Sequence, residues 1–144
     1  MTRKDIEIAI GLHALSLIQA AYVLTDGRIG SRVGTLPILL LRTRGRKTGL
    51  LRTAALLYAD DAGRPVVVAS RGGSDQAPAW FLNLRADPHA EVQIGRRRWP
   101  VAARVTGGEE RERLWAKVNR QWDYRAYQRR TRRQIPVVVL EPAD

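Results

Sequence analysis

The sequence of 144 residues contains no cysteine, only two histidines and a single phenylalanine. The absence of cysteine excludes disulfides, thiolate catalysis, iron–sulfur clusters and Cys-ligated zinc. The two histidines, His13 and His89, are far apart and in no ligand pattern, so we expect no metal site. Ser70 precedes a glycine-rich loop, but no histidine or acid is placed to activate it, so the sequence does not favour a serine hydrolase.

Acidic residues are also scarce, with 14 Asp and Glu against 25 Lys and Arg, which gives a formal net charge of +11. The excess lies in three segments without any acid, residues 42–52, 96–104 and 124–134. A pI above 9 is typical of a nucleic-acid-binding domain, and arginine suits phosphate and carboxylate ligands. The three segments could instead be separate solvated faces. Their charge alone does not decide between an anionic ligand and plain solubility.

No uninterrupted hydrophobic run is long enough for a clear membrane span. Residues 5–24 predict a helix with a very wide apolar face, but polar residues and Gly11 interrupt it, whereas a span needs ~20 apolar residues. No small-residue cleavage pattern of a signal peptide follows it. The helix could pack on the domain, pack on a second subunit, or lie on a membrane surface.

The remaining pattern favours a mainly β domain with appended helices, an α+β fold built around a small barrel rather than a parallel sheet. Short apolar runs predict strands at 36–42, 51–59, 65–70, 91–94, 98–104 and 136–141. A short helix is predicted over 79–85 after Pro78, and another over 124–130. Thr106 and Glu109 fit a capping box that would open a helix running to about residue 122.

Four short motifs could form a binding site. Gly45–Gly49 resembles half of a P-loop, but its first glycine is missing and a hairpin follows, so we reject an NTPase. A turn flanked by Arg46, Lys47 and Arg52 can nevertheless hold an anion. The other three are Ser70–Gly73 just after a strand, the aromatic segment 78–84, and the pair Tyr124 and Tyr127 on one helix face.

Taken in order, these motifs resemble the deazaflavin (coenzyme F420)-dependent nitroreductase and F420H2-dependent quinone reductase family over about residues 30–142. The resemblance rests on RGRKTGLLR at 44–52, VVVASRGG at 66–73, PAWFLNL at 78–84, Tyr124-x-x-Tyr127 and RQIPVVVL at 133–140. It implies the split β-barrel fold of flavin-reductase-like proteins, with residues 1–29 as an apolar helix and linker and 30–144 as the F420-binding domain. It also implies hydride transfer from reduced F420 to an organic acceptor such as a quinone or a nitroaromatic.

The same resemblance implies which residues meet the cofactor. The hairpin residues would hold the phosphate and oligoglutamate tail, namely Arg46, Lys47, Thr48 and Arg52. The deazaflavin would lie against two walls and a short helix, formed by Thr53, Ala54, Ala55, Leu56 and Leu57, by Val68, Ala69, Ser70 and Arg71, and by Ala79, Trp80, Phe81, Leu82 and Asn83. Ser70, Tyr124 and Tyr127 would border the acceptor, with Tyr124 also near the cofactor, and no side-chain nucleophile is expected because the cofactor carries the hydride.

Three positions depart from the family pattern, namely Arg71 in place of Lys, Ala55 in place of Pro, and Phe81 in place of Tyr or His. Alternatives to an F420-dependent enzyme are an FMN-binding split-barrel oxidoreductase, an F420-binding storage protein and a nucleic-acid-binding barrel. We expect a small-molecule acceptor, no nucleic-acid partner, a monomer or homodimer, and a cytoplasmic protein. Residues 1–24 could hold it to the inner face of the membrane.

Overall fold

The structure is a computed structural model that describes residues 2–143, so Met1 and Asp144, the outer ends of the two predicted units, lie outside the described residues. The helices are α1 Arg3–Leu24, α2 Ala79–Ala86, α3 Gly108–Asn119 and α4 Tyr124–Gln128. The strands are β1 Arg32–Val33, β2 Leu36–Arg44, β3 Leu51–Leu57, β4 Ala59–Asp61, β5 Arg64–Val68, β6 His89–Ile94, β7 Arg97–Val105 and β8 Val137–Pro142.

One antiparallel sheet organises the whole chain. Its strands follow the order β1-β2-β6-β7-β8-β5-β4, and β3 pairs with β2 outside this path. Strand β2 is the centre of the fold, because its apolar run pairs with β3 along most of its length and with β6 through Leu40–Thr43. This agrees with the predicted mainly β fold with appended helices.

Alternation along the strands sends side chains to opposite faces of the sheet and divides the core into three clusters. Leu39, Leu41 and Val92 pack with helix α2 in the first cluster. Helices α3 and α4 cover the second cluster, which contains Leu114 and Ile135. The third cluster, formed by Tyr22, Ile38, Leu40 and Ala55, lies beneath α1. The sheet therefore carries α1 and α2 over separate clusters.

Helix α1 is largely exposed and is held mainly near its two ends. Of its residues only Ile8 and Tyr22 are buried. The Tyr22 hydroxyl donates to the carbonyl of Gln93 at 3.2 Å and accepts from the amide of Gly95 at 2.8 Å. At the other end Lys4 pairs with Asp75, and Glu7 pairs with Arg130 at 3.1 Å. The helix begins at Arg3, two residues before the predicted start, because Thr2 and Asp5 form a capping box.

Two predicted elements were wrong in detail. The strand predicted over 51–59 is divided at Tyr58, because β3 pairs with β2 whereas β4 turns to pair with β5. The capping box predicted at Thr106 does not form, since the Thr106 hydroxyl donates to the carbonyl of Val137 at 2.9 Å. Helix α3 starts only after Gly107, which is its N-cap.

A buried carboxylate on strand β4 binds helix α3. Asp61 on β4 accepts hydrogen bonds from Arg113 at 2.8 Å and Lys117 at 3.2 Å on α3, and from its neighbour Arg64. These contacts, the one from Arg113 above all, hold the pKa of the Asp61 carboxyl well below its usual range. Three of the basic side chains therefore bind an acidic residue within the fold rather than a ligand.

Candidate functional site

A cavity of about 500 Å³ lies between the β2–β3 hairpin and helix α2. Its volume is in the range of small-molecule sites in proteins. The lining residues come from three segments that are distant in sequence: Gly45, Arg46, Lys47 and Thr48 in the hairpin, Arg52, Thr53 and Ala54 on β3, and Ala79, Trp80 and Asn83 on α2. All of them except Gly45 are among the predicted cofactor-binding residues.

The hairpin has a tight backbone that leaves amide groups free. Leu50 accepts from the amide of Gly45 at 2.7 Å, and Gly45 accepts from the amide of Gly49 at 2.8 Å. Gly49 has a φ of +76°, a conformation that glycine adopts without strain. Within residues 2–143, the amides of Lys47 and Thr48 donate to no protein acceptor. Free amides next to basic side chains are what an anion requires.

Asn83 joins the hairpin to helix α2. Its side-chain oxygen accepts from the backbone amide of Arg46 at 3.2 Å and from the Arg46 guanidinium at 3.1 Å. Its side-chain nitrogen donates to the hydroxyl of Thr43 on β2 at 3.1 Å. Asn83 and Thr43 are both buried. Nothing in the sequence pattern singles out Thr43, which lies between two arginines near the end of β2, so its part in the site becomes visible only in three dimensions.

The lining of the cavity has a charged part and an apolar part. Arg46, Lys47 and Arg52 contribute three positive charges, and none of the ten lining residues is acidic. Trp80 and two alanines provide apolar surface, and the Trp80 ring is fixed edge-to-face against Phe81 at a centroid distance of 6.2 Å. Such a lining can bind a planar aromatic group that carries an anionic tail.

The predicted second wall does not line this cavity. Val68, Ala69 and Ser70 are buried at the end of β5. The Arg133 guanidinium donates to the carbonyls of Ala69 at 3.1 Å, Ser70 at 2.9 Å and Ser74 at 2.8 Å, and so fixes the backbone of this segment. The Arg71 side chain donates to the Ser74 hydroxyl at 3.0 Å.

The two predicted acceptor-site tyrosines lie on α4, outside the cavity lining. Tyr124 is buried in the second core cluster, and burial raises the pKa of its phenol well above the usual range. Tyr127 packs edge-to-face against it at 6.1 Å, and its hydroxyl accepts from the Trp122 indole at 2.9 Å. A Cβ on Gly73 would lie 2.7 Å from the Tyr127 carbonyl, so the loop that follows Ser70 touches α4.

The other predicted cofactor residues divide between the faces of β3 and α2. Ala55 is buried beneath α1, where its amide donates to Gln19 at 3.3 Å, and Leu57 packs against the same cluster. Leu56 and Phe81 pack into the first core cluster, and Leu82 is half-buried on α2. These residues are neighbours of the cavity in sequence, but they are not part of its lining.

Of the three basic segments, only 42–52 reaches the cavity. In segment 96–104, Arg98 pairs with Asp26 at 2.8 Å, and Arg104 binds Glu110 and Glu141. In segment 124–134, Arg130 and Arg133 donate to backbone carbonyls of the loop after β5. These four arginines are therefore engaged within the fold, and one basic segment of the three lines the cavity.

The fold places the chain in a class of flavin-binding-type split barrels. A solved F420H2-dependent reductase superposes with a TM-score of 0.67 at 38% identity over 73% of this chain and 94% of the other. A structure described as a domain-swapped dimer gives 0.70 at 36% identity over 85% and 94%. A heme storage protein from Vibrio cholerae shares the fold alone, at 13% identity, a TM-score of 0.57 and coverage of 74% and 82%.

The model of the F420H2-dependent quinone reductase family matches residues 15–142, and the chain belongs to that family. An F420H2-dependent quinone reductase of Mycobacterium tuberculosis (strain H37Rv) is 43% identical over 140 residues, which cover 94% of each chain. The fold and family predicted from the motifs are thereby confirmed. The chain is an F420H2-dependent oxidoreductase that uses coenzyme F420 and acts on a small-molecule acceptor.

Proposed function

We propose that the cavity between the hairpin and α2 is the F420 site of this chain and that the acceptor is a quinone. The observation that carries the proposal is the convergence of Arg46, Lys47 and Arg52 at one cavity that Trp80 also lines. The phosphate and carboxylates of the cofactor tail would bind to the hairpin, and the deazaflavin would lie against Trp80 and Ala54. The quinone follows from the family and from the name of the mycobacterial relative.

The cofactor, when bound, supplies the hydride, and the residues of this chain bind and orient it. The hairpin cations neutralise the tail and set its position. Trp80, held against Phe81, gives a fixed surface for the ring. None of the lining residues is Cys, His, Asp or Glu, so we assign to them position and charge rather than covalent chemistry.

The acceptor side is proposed to include Ser70, Tyr124 and Tyr127. The loop after Ser70 touches α4 at Tyr127, which brings the two groups together. Tyr127 is the half-buried member, and its hydroxyl is near the Trp122 indole. Tyr124 lies behind it in the core and supports its ring.

Two measurements test this function. Titration with F420, FMN and an oligonucleotide should show binding of F420 alone, and reduced F420 should be oxidised by a menaquinone analogue faster than by a nitroaromatic.

In the same assay Tyr127→Phe should change turnover while F420 affinity stays within about twofold, because the hydroxyl lies outside the cofactor cavity. Tight FMN binding without F420 binding would contradict the proposal. F420 binding without oxidation by any acceptor would instead indicate a storage protein.

We also propose that α1 holds the enzyme to the inner face of the membrane. Arg3–Leu24 is long and apolar enough to cross a membrane by length and composition, and 11% of its most apolar window is buried. Ile10, Leu17 and Leu24 are 66, 64 and 84% exposed. Exposed apolar side chains along one helix are typical of an interfacial helix, and a lipid-soluble quinone would be reached from there.

Replacing Ile10, Leu17 and Leu24 together with serine tests the membrane contact without touching the buried Tyr22. We expect this variant to lose co-sedimentation with phosphatidylglycerol vesicles and to keep its F420 affinity. Sedimentation velocity on both proteins provides the second readout, because a relative forms a domain-swapped dimer. If the wild type is a dimer that does not bind vesicles and the variant is a monomer, the apolar face contacts a second subunit instead.

A further inference from the structure

We propose that Thr43 is a positioning residue for the anionic tail of the cofactor, acting through Asn83 on Arg46. The inference rests on the proposed cofactor site and adds to it a residue that does not line the cavity. Thr43 is a polar residue that is only 1% exposed, although it lies near the end of β2 between the half-buried Arg42 and the exposed Arg44. Its hydroxyl accepts from Asn83, and Asn83 in turn accepts twice from Arg46.

Thr43 lies where the three parts of the cavity meet. It is the cross-strand partner of Arg52 on β3 and of Ala90 on β6. Directly opposed residues of an antiparallel pair point to the same face, so Thr43 and Arg52 share the face that α2 covers. The hydroxyl of Thr43 thereby joins β2, which pairs with the strand that carries Arg52, to the helix that carries Asn83.

The hydrogen bond from Asn83 to Thr43 holds the Asn83 amide in place between β2 and the hairpin. An amide has an acceptor end and a donor end. The Arg46 amide and guanidinium can only donate, so they bind the Asn83 oxygen, and the Thr43 hydroxyl accepts from the Asn83 nitrogen at the other end. Without the Thr43 hydroxyl, the Asn83 nitrogen has no partner there, and the amide is no longer held where its oxygen binds Arg46.

The hydrogen bond to Asn83 restricts the long, exposed side chain of Arg46. Arg46 is exposed, and an arginine that is free in solution loses rotamer freedom when it binds a ligand. Asn83 holds the guanidinium beside the cavity before any ligand arrives. Thr43 therefore raises affinity for the charged tail by pre-organising Arg46, and it has no corresponding effect on the ring.

Thr43→Val removes the hydroxyl and keeps the shape of the side chain. We expect about tenfold weaker binding of F420, because the loss of one hydrogen bond between neutral groups leaves the Asn83–Arg46 contact less firmly held. Binding of the deazaflavin riboside that lacks phosphate and glutamates should stay within about twofold. Thr43→Ser keeps the hydroxyl and should restore F420 affinity. A purely structural role of Thr43 would weaken both ligands alike, and that result would overturn the inference.

Thr106→Val is the matched control, because it also removes a buried hydroxyl, one that donates to Val137 away from the cavity. It should leave both affinities unchanged. In an Arg46→Ala background, Thr43→Val should have no further effect on F420 affinity. If Thr43→Val does not fold, Thr43→Ala takes its place. Unchanged F420 affinity in a folded Thr43 variant refutes the inference while the Lys47 and Arg52 variants still report on the site itself.

Discussion

Replacing Lys47 and Arg52 together with alanine is expected to weaken F420 binding by about 100-fold. Both side chains line the cavity and both are exposed. Hydrogen bonds to charged groups contribute ~1.5–3 kcal/mol each, and exposure favours the lower end. Two such contacts sum to ~3 kcal/mol, which corresponds to about two decades in Kd. Fluorescence titration of F420 at low ionic strength gives the affinity directly.

The control for this variant removes the same charge elsewhere. Arg129→Ala with Arg132→Ala also deletes two exposed cations, outside the cavity between the hairpin and α2. We expect its F420 affinity to change by less than about threefold, because only long-range attraction is lost. Added salt should weaken the wild type more than the Lys47 and Arg52 variant. Equal losses in the two double variants would mean that net charge, rather than the hairpin, attracts the cofactor.

The largest effect on stability is expected from Tyr22→Ala. Tyr22 is fully buried, and it is the largest side chain that α1 inserts into the third core cluster. Truncating a buried aromatic residue to alanine costs ~3–5 kcal/mol. The change also leaves the Gly95 amide and the Gln93 carbonyl without the partner that the phenol provides. Urea unfolding followed by tryptophan fluorescence measures the loss.

Two further variants separate the causes of that loss. Tyr22→Phe keeps the ring and removes the hydroxyl, so it should lower the free energy of unfolding by ~1–3 kcal/mol, the cost of unpaired buried groups. Leu24→Ala, on the same helix but 84% exposed, should change it by less than ~0.5 kcal/mol. A Tyr22→Ala protein as stable as the wild type would show that α1 is not part of the folded core.

The sequence was sufficient to predict elements whose signal is local. The run at 36–42, the turn around Gly45–Gly49 and the helix after Pro78 all have residues that dictate their own conformation, and all three are present. The division of the 51–59 strand at Tyr58 could not be predicted, because it depends on which strands pair with each half. The capping box failed for a similar reason: Thr106 is adjacent to β8 and its hydroxyl binds there.

The motifs predicted the candidate site at those residues whose side chains lie on the face of the hairpin or helix that borders the cavity. The hairpin and α2 together provide the cavity lining, as the motifs indicated. Residues next to them in sequence, such as Ala55 and Phe81, point to other faces and pack into the core instead. Thr43 shows the opposite case, since its importance depends on the position of Asn83, 40 residues away.

The two ends of α1 are attached to the rest of the domain by contacts of different kinds. Its C-terminal end is fixed by a buried phenol, whereas its N-terminal end is attached through the partly exposed ion pairs of Lys4 and Glu7, a hydrogen bond from Lys4 to the Arg130 carbonyl and the buried Ile8. Salt screens exposed ion pairs and leaves apolar burial intact. We therefore expect the N-terminal end to loosen before the C-terminal end as ionic strength rises, while Tyr22 still attaches the helix to the sheet.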